Sequence, residues 1–493
     1  MKKYFYILVF AVLMGGLTSC NDWLDVSPKD RIPADKMFES ESGFKDILTG
    51  AYLKLGTANL YAGDMKYGYL DELAGLYCDY PGYNTNSVYN QAIVFDYTNQ
   101  FLSKKDNLYL EMYNVVANLN NLLQNIETHR DVLKTPHYYE CIKGEALGLR
   151  AFIYFDLLRL YGPIYSEHPT DAAIPYKTTY DKEPTPVLPA NQVVEKILED
   201  LKAAEALLKD NDPCDFHTAI DQRTDFLSNR EFRMNLYAVK AMMARVYCYS
   251  GQNDLAVQYA QEVIDANKYF TLYKSQTASN YNSIRYGEQI FGLSVNQLNN
   301  TLISNSMDME NTSVQQRYGM TADMFTKVYE GITSDWRQNV VAFNWDESHQ
   351  YAFCLKYNQA PLADNSGADA IPLIRLPEMY YIIAECAANA ETSAEALNTV
   401  RLSRGIPYSD EIHTLGYDDK DVTSEENKQQ TRRINEIMKE YRKEYYAEGQ
   451  LFFFLKAHHY TTYYGCGVAN MTSKEYQMPL PDNEKIFGNN TTK

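Results

Sequence analysis

Apolar residues recur at helical spacing along most of the chain. Near the start, every third or fourth position is apolar over one stretch, and these positions form one face of a predicted helix: Phe44, Ile47, Leu48, Ala51, Tyr52 and Leu55. Further helices are predicted over 106–127 and over 139–161, where Gly162 and Pro163 end the pattern. The chain is therefore expected to fold mainly into helices.

Two stretches are predicted to form helical hairpins of similar design. The first runs from Leu236–Tyr249 into 255–266, and the second from Glu378–Ala388 into 394–402. Small residues recur at equal spacing in both hairpins, at Ala244 and Ala256 and at Ala384 and Ala396. Small residues allow two helices to approach closely, which is typical of tetratricopeptide-like units.

A last long helix is predicted to begin at Thr423, because Thr423 and Glu426 fit a capping box, and to end at Gly449. Two long regions between the helices, approximately 56–100 and 272–370, are rich in Gly, Asn, Asp and Tyr, with strand-like pieces at 289–295 and 340–345. The predicted fold class is mostly α: a tetratricopeptide-like helical hairpin scaffold with long irregular loops and a few short strands. Loops of this length on a compact scaffold are usually functional.

The first twenty residues resemble a lipoprotein signal. Lys2 and Lys3 precede an apolar stretch, 4–17, that is too short to span a bilayer. Leu17-Thr18-Ser19-Cys20 then resembles a bacterial lipobox, in which the cysteine becomes the lipidated first residue. We therefore expect residues 1–19 to be a signal peptide, Cys20 to be lipidated, and 20–493 to form a single domain attached to the membrane through that lipid alone.

Composition excludes several classes of function. A formal net charge of −18 does not fit a nucleic-acid-binding surface. Seven cysteines besides Cys20 lack the tight spacing of a zinc site, and the His458-His459 pair diverges on a helix, so no metal or cofactor is expected. Signature motifs of hydrolases, zinc proteases and nucleotide-binding enzymes are absent. Tyrosine, in contrast, is abundant, with 43 residues against 20 Phe and 3 Trp.

Four segments together resemble the SusD/RagB family of outer-membrane nutrient-binding lipoproteins of Bacteroidetes. They are the start of the mature chain at 20–28, the segment GEALGLRAFIYFDLLRLYGP at 144–163, IRLPEMYYIIAEC at 374–386, and EIMKEYRKEYYAEG at 436–449. These segments span nearly the whole mature chain in the expected order. They are structural motifs, so they indicate the family and say little about its ligand.

The resemblance implies tetratricopeptide-like units packed against irregular loops that carry the ligand site. It also implies a place at the outer membrane, facing the cell exterior, and a SusC-like TonB-dependent β-barrel as the partner over which the lipoprotein sits. Glycan is the usual ligand of this family, whereas the RagB branch binds peptides. We therefore expect a protein that binds oligosaccharide and is not an enzyme.

Two groups of residues are candidates for glycan binding, because sugars are held by aromatic faces with a few placed polar groups beside them. The first group lies in the loop 71–89 and the second in the middle loop region. The first comprises Tyr77, Asp79, Tyr80, Tyr83, Asn84 and Asn86. The second comprises Tyr286, Trp336 and Arg337, with Tyr318 and Trp345 nearby. Each aromatic residue could instead pack its loop onto the scaffold, and Asp335 could pair with Arg337 at the surface.

Three alternatives stay open at the level of sequence. A peptide receptor of the RagB type would have a deeper groove with polar groups for the backbone. A helical glycoside hydrolase would need two carboxylates facing each other across a cleft. A pure scaffold would use its repeats to bind a protein, and the Tyr-rich loops would serve only for packing.

Overall fold

The computed structural model describes residues 36–78, 92–217, 225–274, 282–298, 318–338, 342–357 and 367–488. Helices dominate these ranges. Their bounds are α1 Glu41–Leu55, α2 Tyr69–Leu73, α3 Asn99–Thr128, α4 Tyr138–Tyr161, α5 Ala190–Leu208, α6 Leu236–Tyr249, α7 Asn253–Ile264, α8 Ala322–Tyr329, α9 Leu376–Cys386, α10 Ala390–Ser403, α11 Arg432–Glu444, α12 Leu451–Ala457, α13 Ser473–Tyr476 and α14 Asp482–Phe487. The prediction of a mostly helical chain is confirmed.

Helix α4 is buried along nearly its whole length and packs against α1, α3, α5 and α6. Arg150 of α4 shows how the layers are joined. Its guanidinium donates two hydrogen bonds to Asp200 of α5, at 2.8 and 2.7 Å, and one to Asn120 of α3, at 2.9 Å. A buried charge of this kind is tolerated because its donors find partners.

Both predicted helical hairpins are present, as α6 with α7 and as α9 with α10, and α7 and α9 also pack against each other. Their bounds lie within a few residues of the predicted ones. Helix α3 begins seven residues before the predicted start at residue 106. The tetratricopeptide-like arrangement predicted from small-residue spacing is therefore confirmed.

The predicted start of the last helix at Thr423 is wrong. Helix α11 begins at Arg432, and its N-cap is Thr431, eight residues after Thr423, with a side-chain oxygen that accepts a hydrogen bond from the Ile434 amide. Glu426 does not close a capping box, because its carboxylate accepts hydrogen bonds from Arg442 and from the amide of Tyr464. Residues 423–430 instead form turns that line a cleft described below.

Seven short strands complete the fold in the described ranges, and all of their pairings are antiparallel. They are β1 Ala172–Pro175, β2 Val187–Pro189, β3 Gln289–Ser294, β4 Gly319–Thr321, β5 Phe343–Asp346, β6 Tyr351–Cys354 and β7 Ala370–Arg375. β1 pairs with β2, β3 with β7, and the third sheet has the order β4-β6-β5. The strand predicted at 289–295 is confirmed as β3. That predicted at 340–345 begins at Phe343, and 339–341 lie outside the described residues.

A fully buried ion network ties the middle region to α11. Glu444 accepts hydrogen bonds from Arg375 at 2.7 Å, from Arg404 at 2.9 Å and from Arg337 at 3.1 Å. Glu440, one turn earlier, accepts from Arg337 and Arg401. Although burial would raise the pKa of Glu444, the surrounding guanidinium groups hold it well below its usual value. Two of the segments that carry the family resemblance meet in this network.

Candidate functional site

The two loop regions predicted to carry the ligand site leave the helical scaffold at adjacent points. The amide of Cys78, the last described residue before 79–91, donates a hydrogen bond of 2.9 Å to the carbonyl of Gly319. The hydroxyl of Tyr351 on β6 donates a hydrogen bond of 2.7 Å to the carbonyl of Cys78. Gly319 opens β4, and Tyr318 before it is the first described residue after 299–317. We call this junction, Leu76–Cys78 with Tyr318–Thr321, the loop roots.

Tyr77 lies at the loop roots but is buried, with 1% of its surface exposed. Its hydroxyl donates a hydrogen bond of 2.7 Å to the carbonyl of Tyr67, and its ring lies 4.7 Å from that of Tyr318. The expectation that Tyr77 presents a face to a ligand is therefore corrected. Its local sequence is that of a polar loop, but its ring packs the loop base onto the scaffold.

A C-terminal segment clamps both ends of the loop 79–91. Gly465 packs against Gly75 so closely that a Cβ on Gly465 would lie 2.1 Å from the Gly75 carbonyl oxygen. Two residues on, the amide of Gly467 donates a hydrogen bond of 3.0 Å to the carbonyl of Ile93. The hydroxyl of Tyr463 donates 2.7 Å to the carbonyl of Leu73. Residues 463–467 are here called the clamp. The sequence analysis did not predict a role for them, and the only local sign of one was the close spacing of Gly465 and Gly467.

A polar cleft of about 630 Å³ lies beside the clamp. Tyr464 lines it with a half-buried ring, and the Lys327 ammonium lies 4.4 Å from the centre of that ring. The Tyr464 hydroxyl donates a hydrogen bond of 3.0 Å to Asp323 of α8, the helix that follows β4. Met438, Tyr463 and Gly465 also line the cleft, and the other lining residues are polar: Asp421, Thr423, Ser424, Glu425, Glu426, Arg432, Asn435, Glu436, Lys439 and Thr462. An oriented tyrosine among hydroxyl, amide and carboxylate groups suits a polar organic ligand.

Two carboxylates of the cleft, those of Glu426 and Asp421, have a lowered pKa. Burial would raise the pKa of Glu426, but its ion pair with Arg442 lowers it. Burial would likewise raise the pKa of Asp421, but hydrogen bonds from Asn435 and Thr423 lower it. A general acid for glycoside hydrolysis needs a raised pKa, so these two groups are shifted in the wrong direction for that role.

Trp336 and Arg337 do not face solvent, which corrects a second expectation. The Trp336 indole donates a hydrogen bond of 2.9 Å to the carbonyl of Ser403, and the Trp336 side chain is 7% exposed. Arg337 is buried in the ion network, where it pairs with Asp335, so the predicted pair exists but inside the protein. The polar sequence around Trp336 reflects these buried partners. Neither side chain is available to a ligand in this structure.

Tyr286 is half-buried, and its hydroxyl donates a hydrogen bond of 2.6 Å to the Glu231 carboxylate. The second candidate group therefore does not form one exposed platform. Trp345 is also half-buried and packs edge-on against Phe325 of α8, with ring centres 4.9 Å apart. The other predicted positions, Cys20 and the loop residues Asp79, Tyr80, Tyr83, Asn84 and Asn86, lie outside the described residues.

The two adjacent histidines bind different carboxylates. His458 Nε2 lies 3.0 Å from Glu385, and His459 Nδ1 lies 2.6 Å from Glu167. Across the described ranges, no three His, Cys, Asp or Glu side chains are grouped so as to hold a metal ion. Nor does any helix within those ranges have the length and apolar character needed to cross a membrane.

Asp71 of α2 lies behind the loop roots and makes the fold sensitive to pH. Its carboxylate accepts a hydrogen bond of 2.9 Å from the amide of Gly449. Burial nevertheless raises its pKa to about 8, because that hydrogen bond and Lys356 offset only part of the desolvation. The folded protein therefore binds a proton that the unfolded chain has already released above about pH 4.

We expect Asp71→Asn to remove part of the pH dependence of stability. With the folded pKa raised, the free energy of unfolding falls as pH rises from about 4 to about 8, by at most about 1.4 kcal/mol per pH unit. The Asn amide keeps a hydrogen-bond acceptor for Gly449 and carries no charge. The free energy of unfolding of the variant should therefore rise relative to that of the natural protein as pH rises. Urea unfolding between pH 5 and 9 measures this difference. Asp46→Asn, on the exposed face of α1, is the control, and equal pH profiles for all three proteins would contradict the assignment.

Comparisons with known proteins identify the fold and the family. A family model described as "starch-binding associating with outer membrane" matches residues 22–248, and the SusD family model matches residues 268–492. Among curated proteins of Formosa agariphila, SusD-like protein P38 is 26% identical over 215 residues, and SusD-like protein P2 is 24% identical over 277 residues. These alignments cover 42% and 55% of this chain, but the chain spans only 38% and 48% of the two relatives.

Solved structures share the fold over nearly the whole chain. A SusD-like carbohydrate binding protein from Bacteroides vulgatus superposes with a TM-score of 0.67 at 20% identity, covering 92% of this chain and 97% of that one. A SusD superfamily protein from Bacteroides fragilis gives 0.65 at 20% identity, covering 93% and 100%. Two solved relatives from Bacteroides vulgatus carry names that state a role, and both are named as sugar- or carbohydrate-binding proteins. The two family matches and the shared helical fold show that the chain belongs to the SusD/RagB family.

Proposed function

We propose that this protein captures oligosaccharide at the outer face of the outer membrane and delivers it to a SusC-like TonB-dependent β-barrel. One observation supports the position of the proposed binding site. The residue before segment 79–91, which is rich in Tyr and Asn, is hydrogen-bonded to Gly319, which comes just after the Asn-rich segment 299–317. This junction lies next to a polar cleft with a half-buried tyrosine. Lipid at Cys20 would hold the protein at the membrane, and the partner barrel is the one that the family resemblance implies.

Within the proposed site, Tyr464 supplies the aromatic face. Its hydroxyl is held by Asp323 and its ring by Lys327, so the ring is oriented before a ligand arrives. Hydroxyl and carboxylate groups of the cleft would pair with sugar hydroxyls. Tyr80, Tyr83, Asp79, Asn84 and Asn86 are proposed to add contacts from the loop that the clamp holds. A shallow site of this kind should bind with roughly micromolar to millimolar affinity, because few groups are fully desolvated.

We expect Tyr464→Ala to weaken glycan binding at least tenfold, because the variant removes the aromatic face of the cleft and leaves the buried clamp residues in place. A tenfold loss corresponds to about 1.4 kcal/mol, which is within the range of about 0.5–1.5 kcal/mol that an aromatic contact contributes beyond its buried area. Calorimetric titration of residues 21–493 against a panel of neutral, acidic and amino-sugar oligosaccharides and of short peptides measures the affinity, and each mixture is checked for cleavage products.

The matched control is Tyr408→Ala, which removes a tyrosine that is 74% exposed and does not line the cleft. Glycan binding that survives both substitutions would move the site away from the cleft. Heat with peptides and none with glycans would assign the protein to the peptide-binding branch. The mixed lining of Lys327, Arg432 and Lys439 beside Asp421 and Glu425 could also accommodate the charged groups of a peptide.

A further inference from the structure

A second groove lies between three elements of the scaffold and has no lining residue in common with the polar cleft. Its volume is about 690 Å³, and its walls are the first half of α3, the β1–β2 hairpin and α14. The hairpin is fixed to α3, because the Tyr113 hydroxyl donates a hydrogen bond of 2.7 Å to the carbonyl of Pro175. We call this site the side groove.

Apolar side chains are exposed in and around the side groove. Leu110 of α3 lines it and is 56% exposed. Tyr180 of the hairpin and Ile486 of α14 are also more than half exposed, so each of the three walls carries one such side chain. The lining includes three prolines as well: Pro175, Pro184 and Pro481. Exposed apolar side chains on adjoining elements mark an interaction surface.

The floor of the side groove offers a hydrogen-bond donor. Tyr109 lines the groove, is 3% exposed, and has its ring 4.5 Å from that of Tyr113. Within the described ranges, the Tyr109 hydroxyl has no partner at hydrogen-bonding distance and angle. A buried polar group in that state is costly, and a carbonyl oxygen of a docked molecule would relieve the cost. Because the ring itself is covered, it offers a sugar no aromatic face.

The side groove is acidic. Five carboxylates and two ammonium groups line it, and one of the ammonium groups, that of Lys177, pairs with a lining carboxylate at 2.5 Å. Lys105 and Lys485 pair with two more of the carboxylates from outside the lining. The others belong to Glu183 of the hairpin and Glu484 of α14. Burial raises the pKa of the Glu484 carboxyl, and a cation beside it would offset that desolvation.

We propose that the side groove docks an extended segment of a partner protein that carries both cationic and apolar side chains. Leu110 and the prolines receive its apolar groups, Glu183 and Glu484 face its cations, and the Tyr109 hydroxyl donates to a backbone carbonyl. Extended segments bind in grooves through this combination of apolar pockets and backbone hydrogen bonds. A protein is favoured over a small nutrient because the exposed apolar rim extends beyond the groove itself. The inference does not depend on the glycan.

Titration of the whole mature chain with the blocked hexapeptide Lys-Leu-Pro-Lys-Leu-Pro tests the docking. We expect saturable binding that is about tenfold tighter than that of Glu-Leu-Pro-Glu-Leu-Pro and that weakens with added salt. The blocked tripeptide Lys-Leu-Pro should bind about tenfold more weakly than the hexapeptide, because it cannot reach all three walls. No binding at millimolar hexapeptide, or equal affinity for the cationic and acidic peptides, would overturn the proposal. Equal affinity for the tripeptide would indicate a site for small peptides and would also overturn it.

Two variants locate the hexapeptide in the side groove. Leu110→Ser should weaken its binding about fivefold, because the apolar contact is lost. Leu53→Ser, which replaces an exposed leucine on α1 outside the groove, is the matched control and should leave the affinity unchanged. Tyr109→Phe should weaken binding about fivefold without lowering the free energy of unfolding, because it removes a hydroxyl that lacks a partner. Unchanged affinity in both groove variants would refute the docking site.

Glycan affinity is measured in the same variants. Leu110→Ser and Tyr109→Phe should leave it unchanged, because neither residue lines the polar cleft. A protein that binds the hexapeptide in the side groove but binds no glycan would refute the proposed function and leave the docking site standing. Glycan that displaces the hexapeptide from the side groove would instead overturn the docking proposal.

Discussion

Replacement of Glu444 by glutamine is expected to lower the free energy of unfolding by about 3–5 kcal/mol. The carboxylate lies at the centre of the buried ion network and accepts hydrogen bonds from Arg337, Arg375 and Arg404. Glutamine has nearly the same shape, but it removes the negative charge and turns an NH₂ group toward the guanidinium groups. The variant therefore leaves buried positive charge without compensation, which is the costly way to break such a network.

Chemical unfolding of the natural protein and the variant measures this cost. Glu395→Gln on α10 is the control, because Glu395 is exposed and should change stability by less than about 0.5 kcal/mol. A loss below about 1 kcal/mol for Glu444→Gln would mean that the network does not hold α11 to the middle region. Because Glu444 itself does not line the cleft, any folded fraction of the variant should retain its glycan affinity.

Gly465→Ala is expected to destabilise the protein and to weaken glycan binding. Gly465 has a φ of +84°, and its Cβ would lie 2.1 Å from the Gly75 carbonyl oxygen. The clash cannot be relieved by a side chain, because the obstructing atom belongs to the backbone. The clamp must therefore move away from the loop roots, and Tyr464 moves with it. We expect a loss of stability of about 3 kcal/mol and a loss of affinity of more than tenfold.

Gly251→Ala separates this clash from backbone strain. Gly251 has a φ of +74° but open space around its Cβ position, so its substitution should cost only about 1 kcal/mol and leave binding unchanged. Unfolding and titration of both variants distinguish the two effects. Equal losses in the two variants would show that the contact between Gly465 and Gly75 does not position the site.

The helical scaffold could be predicted because its signals are local. The apolar faces of α1, α4, α6 and α9 repeat at the helical period, and Gly162 and Pro163 mark the end of α4. The start of α11 could not be predicted, because Thr423 and Thr431 are both plausible N-caps. The choice depends on Glu426, whose carboxylate binds Arg442 and Tyr464 rather than closing a capping box.

The burial of individual aromatic residues could not be predicted from the sequence, for a related reason. Tyr77 and Trp336 lie in polar segments and look exposed, yet each donates its hydrogen bond to a carbonyl supplied by another part of the chain. A pattern of neighbours along the chain carries no information on such partners. The clamp was missed because Gly465 and Gly467 acquire their meaning only from contacts with Gly75 and Ile93.

Hydrogen–deuterium exchange with and without a bound oligosaccharide shows where the ligand binds. We expect the ligand to slow amide exchange in the clamp at 463–467, at the loop roots Leu76–Cys78 and Tyr318–Thr321, and in the cleft turns 421–426. Exchange in the hairpins α6–α7 and α9–α10 should stay unchanged. Protection confined to the hairpins, with none at the clamp or the loop roots, would contradict the proposed site.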